Sequence, residues 1–241
     1  MTKPGILITF EGGEGAGKTT QIKMLKEALK KDGYDVSKLD FYEPGGTKEA
    51  ELARIIVKRK ADKPLSVEHY PGVPEMVKDF DISPLEQAFQ FFFARSHQFR
   101  TKLRAEIEAG KVIILDRSID STVVYQGHAQ DTELIDYLRF SNETILRKSG
   151  IVINRTYLID VPAEIGKARV NKQRGDDNGD FFDEQEVEFY EKLREGYLAE
   201  LEYTDSLDLT NPHYKRIRKV DGDQTPEAIF DEVYSDLKKL L

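Results

Sequence analysis

The feature that most narrows the possible folds is a glycine-dense turn, Gly12-Gly13-Glu14-Gly15-Ala16-Gly17-Lys18-Thr19-Thr20, set between an apolar run and an amphipathic pattern. It satisfies G-x-x-x-x-G-K-[ST] at every fixed position. Glycines in such a turn let backbone N–H groups converge without a clashing Cβ. A helix beginning at the lysine then points the positive end of its dipole at whatever the N–H groups surround. The ligand that fits this cradle is a nucleotide polyphosphate, with Lys18 near its outer phosphates and the Thr19 hydroxyl able to hold Mg²⁺.

The flanks support that placement. "GILITFE" (5–11) has no polar alternation, as expected of a strand buried on both faces, while Ile22, Leu25 and Leu29 recur at helical spacing up to Gly33. Further strands are predicted at 35–43, 111–117, 155–161 and 215–222. Helices are predicted at 48–60, 84–109, 131–148, 163–173, 184–204 and 225–240. Strands alternating with helices predict an α/β fold of the P-loop NTPase type: three layers, a five-stranded parallel sheet with helices on both faces, and a lid, all in a single domain over 1–241. Two stretches fall outside the alternation. Residues 61–84 carry Pro64, Pro71, Pro74 and Pro84 and read as a surface insertion. The acidic, glycine-bearing segment near 170–184 reads as the lid.

Composition removes several classes of function. With no cysteine there is no disulfide, thiolate nucleophile or Cys-based zinc site, and the four histidines have no metal-ligand spacing. A net charge of −8 gives no footprint for nucleic acid, so any anion site must be a local positive pocket. The first apolar run is too short for a signal peptide or membrane span, which predicts a cytoplasmic protein without membrane partners.

A polyphosphate cradle serves switches, motors and transferases alike, so the rest of the chain must discriminate. "EPGGT" (43–47) and "LDRSIDSTVVYQG" (115–127) both follow predicted strands, on the rim where parallel α/β sheets bind ligands. Between them Phe91 and Arg95 lie one helical turn apart. On residue type alone Phe91 also fits a core position, Arg54 a solvated helix face, Asp116 a helix cap and Arg117 a structural ion pair.

Taken in order, the glycine turn, "EPGGT", Phe91 with Arg95, "DRSIDSTVVYQG" and the ending "VDGDQTPEAIFDEVYSDL" resemble the thymidylate kinase family over nearly the whole chain. The resemblance implies transfer of the ATP γ-phosphoryl group to dTMP, giving dTDP and ADP, with Mg²⁺ and in a homodimer. It implies Phe91 stacked on thymine, Arg95 and Gln126 bonded to the base, Thr122 beside it, and Tyr125 against the sugar C2′. Arg54 and Arg117 would clamp the dTMP phosphate, with Glu43 and Pro44 on the acceptor side and Glu14 near the acceptor sugar. Asp116 would join Thr19 on the metal side. Lys18 and Arg117 would steady the transferring group, together with a lid arginine, Arg174 in preference to Arg169.

The chain departs from the family pattern at Tyr42, where arginine is common, at Ser118, where an aromatic is usual, and in the length of 61–84. Two rivals remain at this stage: a kinase of another monophosphate or of a deoxynucleoside, and a nucleotide-dependent switch without a small acceptor.

Overall fold

The computed structural model describes residues 5–39, 41–59, 63–174, 182 and 185–241, excepting the side chains of residues 64, 65, 173 and 174. Five strands, β1 (Ile6–Glu11), β2 (Phe41–Tyr42), β3 (Val112–Asp116), β4 (Arg155–Asp160) and β5 (Ile217–Asp221), form one all-parallel sheet in the order β2-β3-β1-β4-β5. This is the P-loop α/β arrangement. The helices are α1 (Lys18–Lys31), α2 (Lys48–Lys58), α3 (Pro64–His69), α4 (Val73–Val77), α5 (Pro84–Gln98) and α6 (Arg104–Glu108). They continue with α7 (Ile119–Thr122), α8 (Ile135–Ser149), α9 (Ala163–Arg174), α10 (Val187–Ser206) and α11 (Pro226–Leu237).

The period-2 alternation of the central strands creates the layers. Ile8 and Phe10 of β1, with Val112 and Ile114 of β3, join Leu25, Leu29, Val233 and Leu237 on one face. Leu7, Ile113 and Leu115 point the other way, onto Phe99, Leu103 and Leu146. Removing each such aliphatic side chain from water contributes about 1.5–3 kcal/mol, so strands buried on both faces need the unbroken apolar runs seen here.

One expectation is corrected, and three segments gain detail that the sequence reading did not give. The strand expected over 35–43 shrinks to Phe41–Tyr42 plus an isolated bridge at Val36, because the Ser37 hydroxyl accepts from the Leu39 N–H (3.2 Å) and turns the chain out of the ladder. The rim segment after β3 is helical: α7 runs into a π-helical turn, Val123–His128, where burial of Val123, Val124 and Tyr125 outweighs the weak helix propensity of β-branched residues. The insertion also carries helices. α3 and α4 pack on α2, and the Arg59 guanidinium donates to the Phe80 carbonyl at 3.1 and 2.7 Å. The helix expected over 84–109 runs through α5, a π-helical turn Phe99–Leu103, and α6. It starts at a reciprocal cap between Ser83 and Glu86, with Pro84 in the first turn.

Candidate active site

The glycine turn follows β1, and α1 opens directly from it. Gly12 (φ 137°) passes so close to β4 that a Cβ would lie 2.4 Å from the Ile159 carbonyl oxygen, and a Cβ on Gly15 (φ 72°) would lie 2.3 Å from that of Gly166. Only glycine fits either place. The N-cap of α1 is Gly17, with no side-chain hydrogen bond and no acid in the first turn, so the helix end stays open to an anion. Lys18 is buried and donates to the carbonyls of Gly12 (3.1 Å) and Gly13 (2.8 Å). Burial, and then the charge of Arg117, bring its ammonium down to about 8.

A cleft of about 260 Å³ opens beside the turn. Its floor is Gly15, Gly17, Lys18, Thr19 and Thr20; its far wall carries Glu43, Pro44, Arg54, Phe91, Asp116, Arg117 and Tyr125, with Glu14 between. Gly12, Gly13 and Ala16 complete the turn without facing the cleft. The sheet explains the convergence: these residues come from the C-terminal ends of β1, β2 and β3 or from the helices that follow, which parallel topology puts on one edge.

Arg117 anchors the middle. It is the first residue after β3, its N–H donates to Phe10 O (3.0 Å), and its left-handed backbone (φ 64°) turns the side chain back over the glycine turn. One guanidinium nitrogen donates to Gly12 O (2.8 Å), Ser121 Oγ (3.2 Å) and Tyr197 OH (2.7 Å); another donates to Glu14 Oε1 (2.8 Å) and Tyr125 OH (2.9 Å). Burial alone would raise the Glu14 carboxyl, but Arg117, Lys18 and Lys58 hold it at about 2. It is a permanent anion in the cleft.

Beneath it Glu11 accepts from Ser118 N (2.7 Å), Ser121 Oγ (2.5 Å) and Tyr197 OH (3.2 Å). Burial, followed by the nearby charge of Asp120, pushes Glu11 up to about 7. Arg54 of α2 donates to Pro44 O (2.9 Å) and sits 5.2 Å from the centre of the Tyr42 ring.

Three expected base-side residues stand behind the wall. Arg95 is fully buried: it forks onto Glu43 (2.5–3.0 Å) and donates to Thr122 Oγ1 (2.8 Å), to Ser118 O (3.2 Å) and to Asn142 Oδ1. Thr122 serves as that acceptor. Gln126 is buried and donates to Gln87 Oε1 (3.1 Å), while its own Oε1 has no partner among the described residues. None of the three lines the cleft. Arg169 turns to Gly222 O (3.1 Å), and the side chain of Arg174, with most of the expected lid, lies outside the described residues.

Sequence comparison decides the family. A profile of the thymidylate kinase family matches residues 10–70 and 73–220. A thymidylate kinase of Thermoanaerobacter sp. (strain X514) is 32% identical over 237 residues, 98% of this chain and 99% of its own. One from Bartonella henselae is 34% identical over 95% of this chain and 93% of its own, and one from Sulfurihydrogenibium sp. (strain YO3AOP1) 35% over 80% and 82%. The chain belongs to the thymidylate kinase family.

In and around the cleft of this thymidylate kinase family member stand residues that the sequence reading missed. Lys58 lies one helical turn beyond Arg54 on α2, a spacing that could have flagged it. Ser118 and Ser121 follow the "DR" pair and line the wall. Phe182, near the far end of the lid sequence, packs edge-on against Tyr125 at 5.3 Å between ring centres. Tyr197 reaches Arg117 from α10, and no local pattern marks a tyrosine 80 residues away. Lys63 enters from the insertion.

Proposed function

We propose that this chain is a dTMP kinase in its own right: it transfers the γ-phosphoryl group of ATP to a phosphate oxygen of dTMP. The bond to the β–γ bridging oxygen of ATP breaks, the bond to the acceptor oxygen forms, and ADP and dTDP leave. The observation that carries the reading is a single cleft whose floor is a polyphosphate cradle and whose far wall holds Arg54, Phe91, Arg117 and Tyr125.

The acceptor needs no general base, because the second pKa of a phosphate ester is about 6 and its oxygen is already ionised at neutral pH. Positioning and positive charge are the protein's contribution. Lys18 and the turn's N–H groups hold the donor. Arg54 and Arg117 hold the acceptor phosphate, Phe91 offers a face to the base, and Tyr125 packs on the sugar side with Glu14. Arg95, Thr122 and Gln126 shape the base pocket from behind the wall. Arg174 acts from a lid near 170–184, in one P-loop domain with 61–84 as its insertion.

The metal side fits Mg²⁺. Thr19 and Asp116 both line the cleft, and no group of three or more metal-binding side chains occurs among the described residues. A cation that keeps its waters and takes most other ligands from phosphate calls for such a sparse donor set. Bound there, Mg²⁺ would neutralise phosphate charge.

The apolar side chains of Phe89 and Phe93, one turn apart on α5, are exposed, as is Leu52 on α2, the helix packed against α5. We assign this face to homodimer contact, with activity in the cytoplasm. No helix among the described residues is long and apolar enough to cross a membrane.

The test is ADP release by purified protein with ATP, Mg²⁺ and dTMP, dUMP, dCMP or thymidine in turn. Release that depends on dTMP and exceeds the others at equal concentration is expected. Release indifferent to every acceptor would overturn the assignment.

A further inference from the structure

We propose that Lys63, delivered by the 61–84 insertion, is a second-substrate contact that grips the acceptor phosphate; this rests on the kinase reading above. Among the described residues five cations border the cleft: Lys18, Arg54, Lys58, Lys63 and Arg117. Lys18 donates to two carbonyls, Arg117 to five acceptors, and Arg54 to Pro44 O. The Lys63 ammonium is different. It is half-buried, stands 5.0 Å from the centre of the Tyr42 ring, and meets no carboxylate or hydrogen-bond acceptor among the described residues. A cation resting on an aromatic face keeps its N–H donors for a ligand.

Its position is built. The Ser66 hydroxyl accepts from Lys63 N (3.1 Å) and donates to Lys63 O (2.8 Å), and Ser66 is fully buried. Pro64 opens α3 immediately afterwards, which fixes the exit of the chain. On the cleft side, Tyr42 is held by its hydroxyl on Glu51 (2.6 Å), and Glu51 in turn accepts from Gly46 N (2.9 Å). Arg54 is 5.2 Å from the same ring. The two cations therefore share one aromatic seat beside "EPGG", on the acceptor wall and across from the polyphosphate cradle. An anion reached by both is the terminal phosphate of a nucleoside monophosphate. The extra segment, packed on α2 through α3 and α4, thus acquires a reason to be there: it carries a positive charge into the cleft.

The experiment measures dTMP and thymidine binding calorimetrically, and dTMP-dependent ADP release, for wild type, Lys63→Gln and Lys63→Arg. A charge-assisted contact of this kind predicts that Lys63→Gln weakens dTMP binding about 10- to 150-fold. Thymidine, which lacks the phosphate, should bind Lys63→Gln as it binds wild type, and the KM for ATP should stay within about twofold of wild type. Lys63→Arg should recover most of the dTMP affinity. Equal losses for dTMP and thymidine would make Lys63 a packing residue and overturn the proposal, as would unchanged dTMP affinity in Lys63→Gln. Wild-type protein that neither binds dTMP nor releases ADP with it would instead overturn the kinase reading, and the phosphate contact with it.

Discussion

Arg95→Met removes the centre of a charge cluster that is almost wholly enclosed. The side chains of Arg95 and Glu43 are 0% and 3% exposed, and the guanidinium forks onto the carboxylate while also meeting Thr122, Ser118 and Asn142. Methionine matches the length of the aliphatic stem, so the chief loss is charge, and Glu43 is left buried without its counter-ion. Breaking one side of such a pair costs about 3–5 kcal/mol. At about 2–4 °C per kcal/mol for a chain of this size, the melting temperature should fall by about 6–20 °C.

The pH dependence carries a second signature. Burial already pushes the Glu43 carboxyl above its usual range against the pull of Arg95, and removing the arginine pushes it further. The folded variant then binds a proton that the unfolded chain has released, so its stability must decline as pH rises from 5 to 8 more steeply than that of wild type. Arg95→Met combined with Glu43→Gln removes the titrating group and should restore much of the loss and flatten the slope. Thermal unfolding followed by circular dichroism at pH 5, 6.5 and 8 reads all three. A single variant melting within 2 °C of wild type at pH 8, with a double variant no more stable, would show that the cluster is not what holds "EPGG" against α5.

The remaining predictions concern the cleft. Lys18→Met should lower dTMP-dependent turnover by at least about 100-fold at saturating ATP, because a cation meeting developing phosphate charge acts mainly in the transition state; a loss confined to the KM for ATP would refute that. Since Lys18 rests near 8 in the free protein, a bound polyphosphate must draw a proton onto it. ATP affinity should therefore fall as pH rises above about 8, and calorimetry in two buffers of different ionisation heat should show proton uptake. Glu11→Gln should remove a buried carboxyl that titrates near 7, whose folded form holds its proton above the unfolded range, so the variant should lose less stability than wild type between pH 5 and 8. Gly15→Ala meets both a left-handed backbone and a carbonyl oxygen at 2.3 Å, and should weaken ATP binding at least tenfold while dTMP binding holds.

The legible part of this molecule was whatever physics repeats locally. The buried strands announced themselves as unbroken apolar runs, α1 by Ile22, Leu25 and Leu29, and the cradle by glycines that no other residue could replace at Gly12 and Gly15. The edge strand misled because Ser37 takes over a backbone N–H that the ladder would have used. The helix after β3 was hidden by β-branched residues whose stability comes from burial against elements far away in sequence. The same limit governs the site. Arg117 and Phe91 could be placed on the rim from order and spacing. That Arg95 would be claimed by Glu43, and Arg117 by Tyr197, depends on contacts 52 and 80 residues apart that no window contains.

Contacts near and far in sequence explain how a chain with a net charge of −8 holds a cationic cleft. Like charges packed this close would repel if left bare, and the resting structure supplies internal substitutes: loop carbonyls for Lys18, Pro44 O for Arg54, and Glu14 for Arg117. Carbonyls carry only partial charge, so a phosphate competes with them easily. Glu14, held at about 2, is a full anion and the harder rival. On the proposed reading, the acceptor phosphate shares Arg117 with Glu14 and finds its surplus attraction elsewhere, at Lys63, whose ammonium meets no acceptor among the described residues. Binding strength in this cleft is set less by the number of positive residues on its walls than by how few of them the protein has already satisfied.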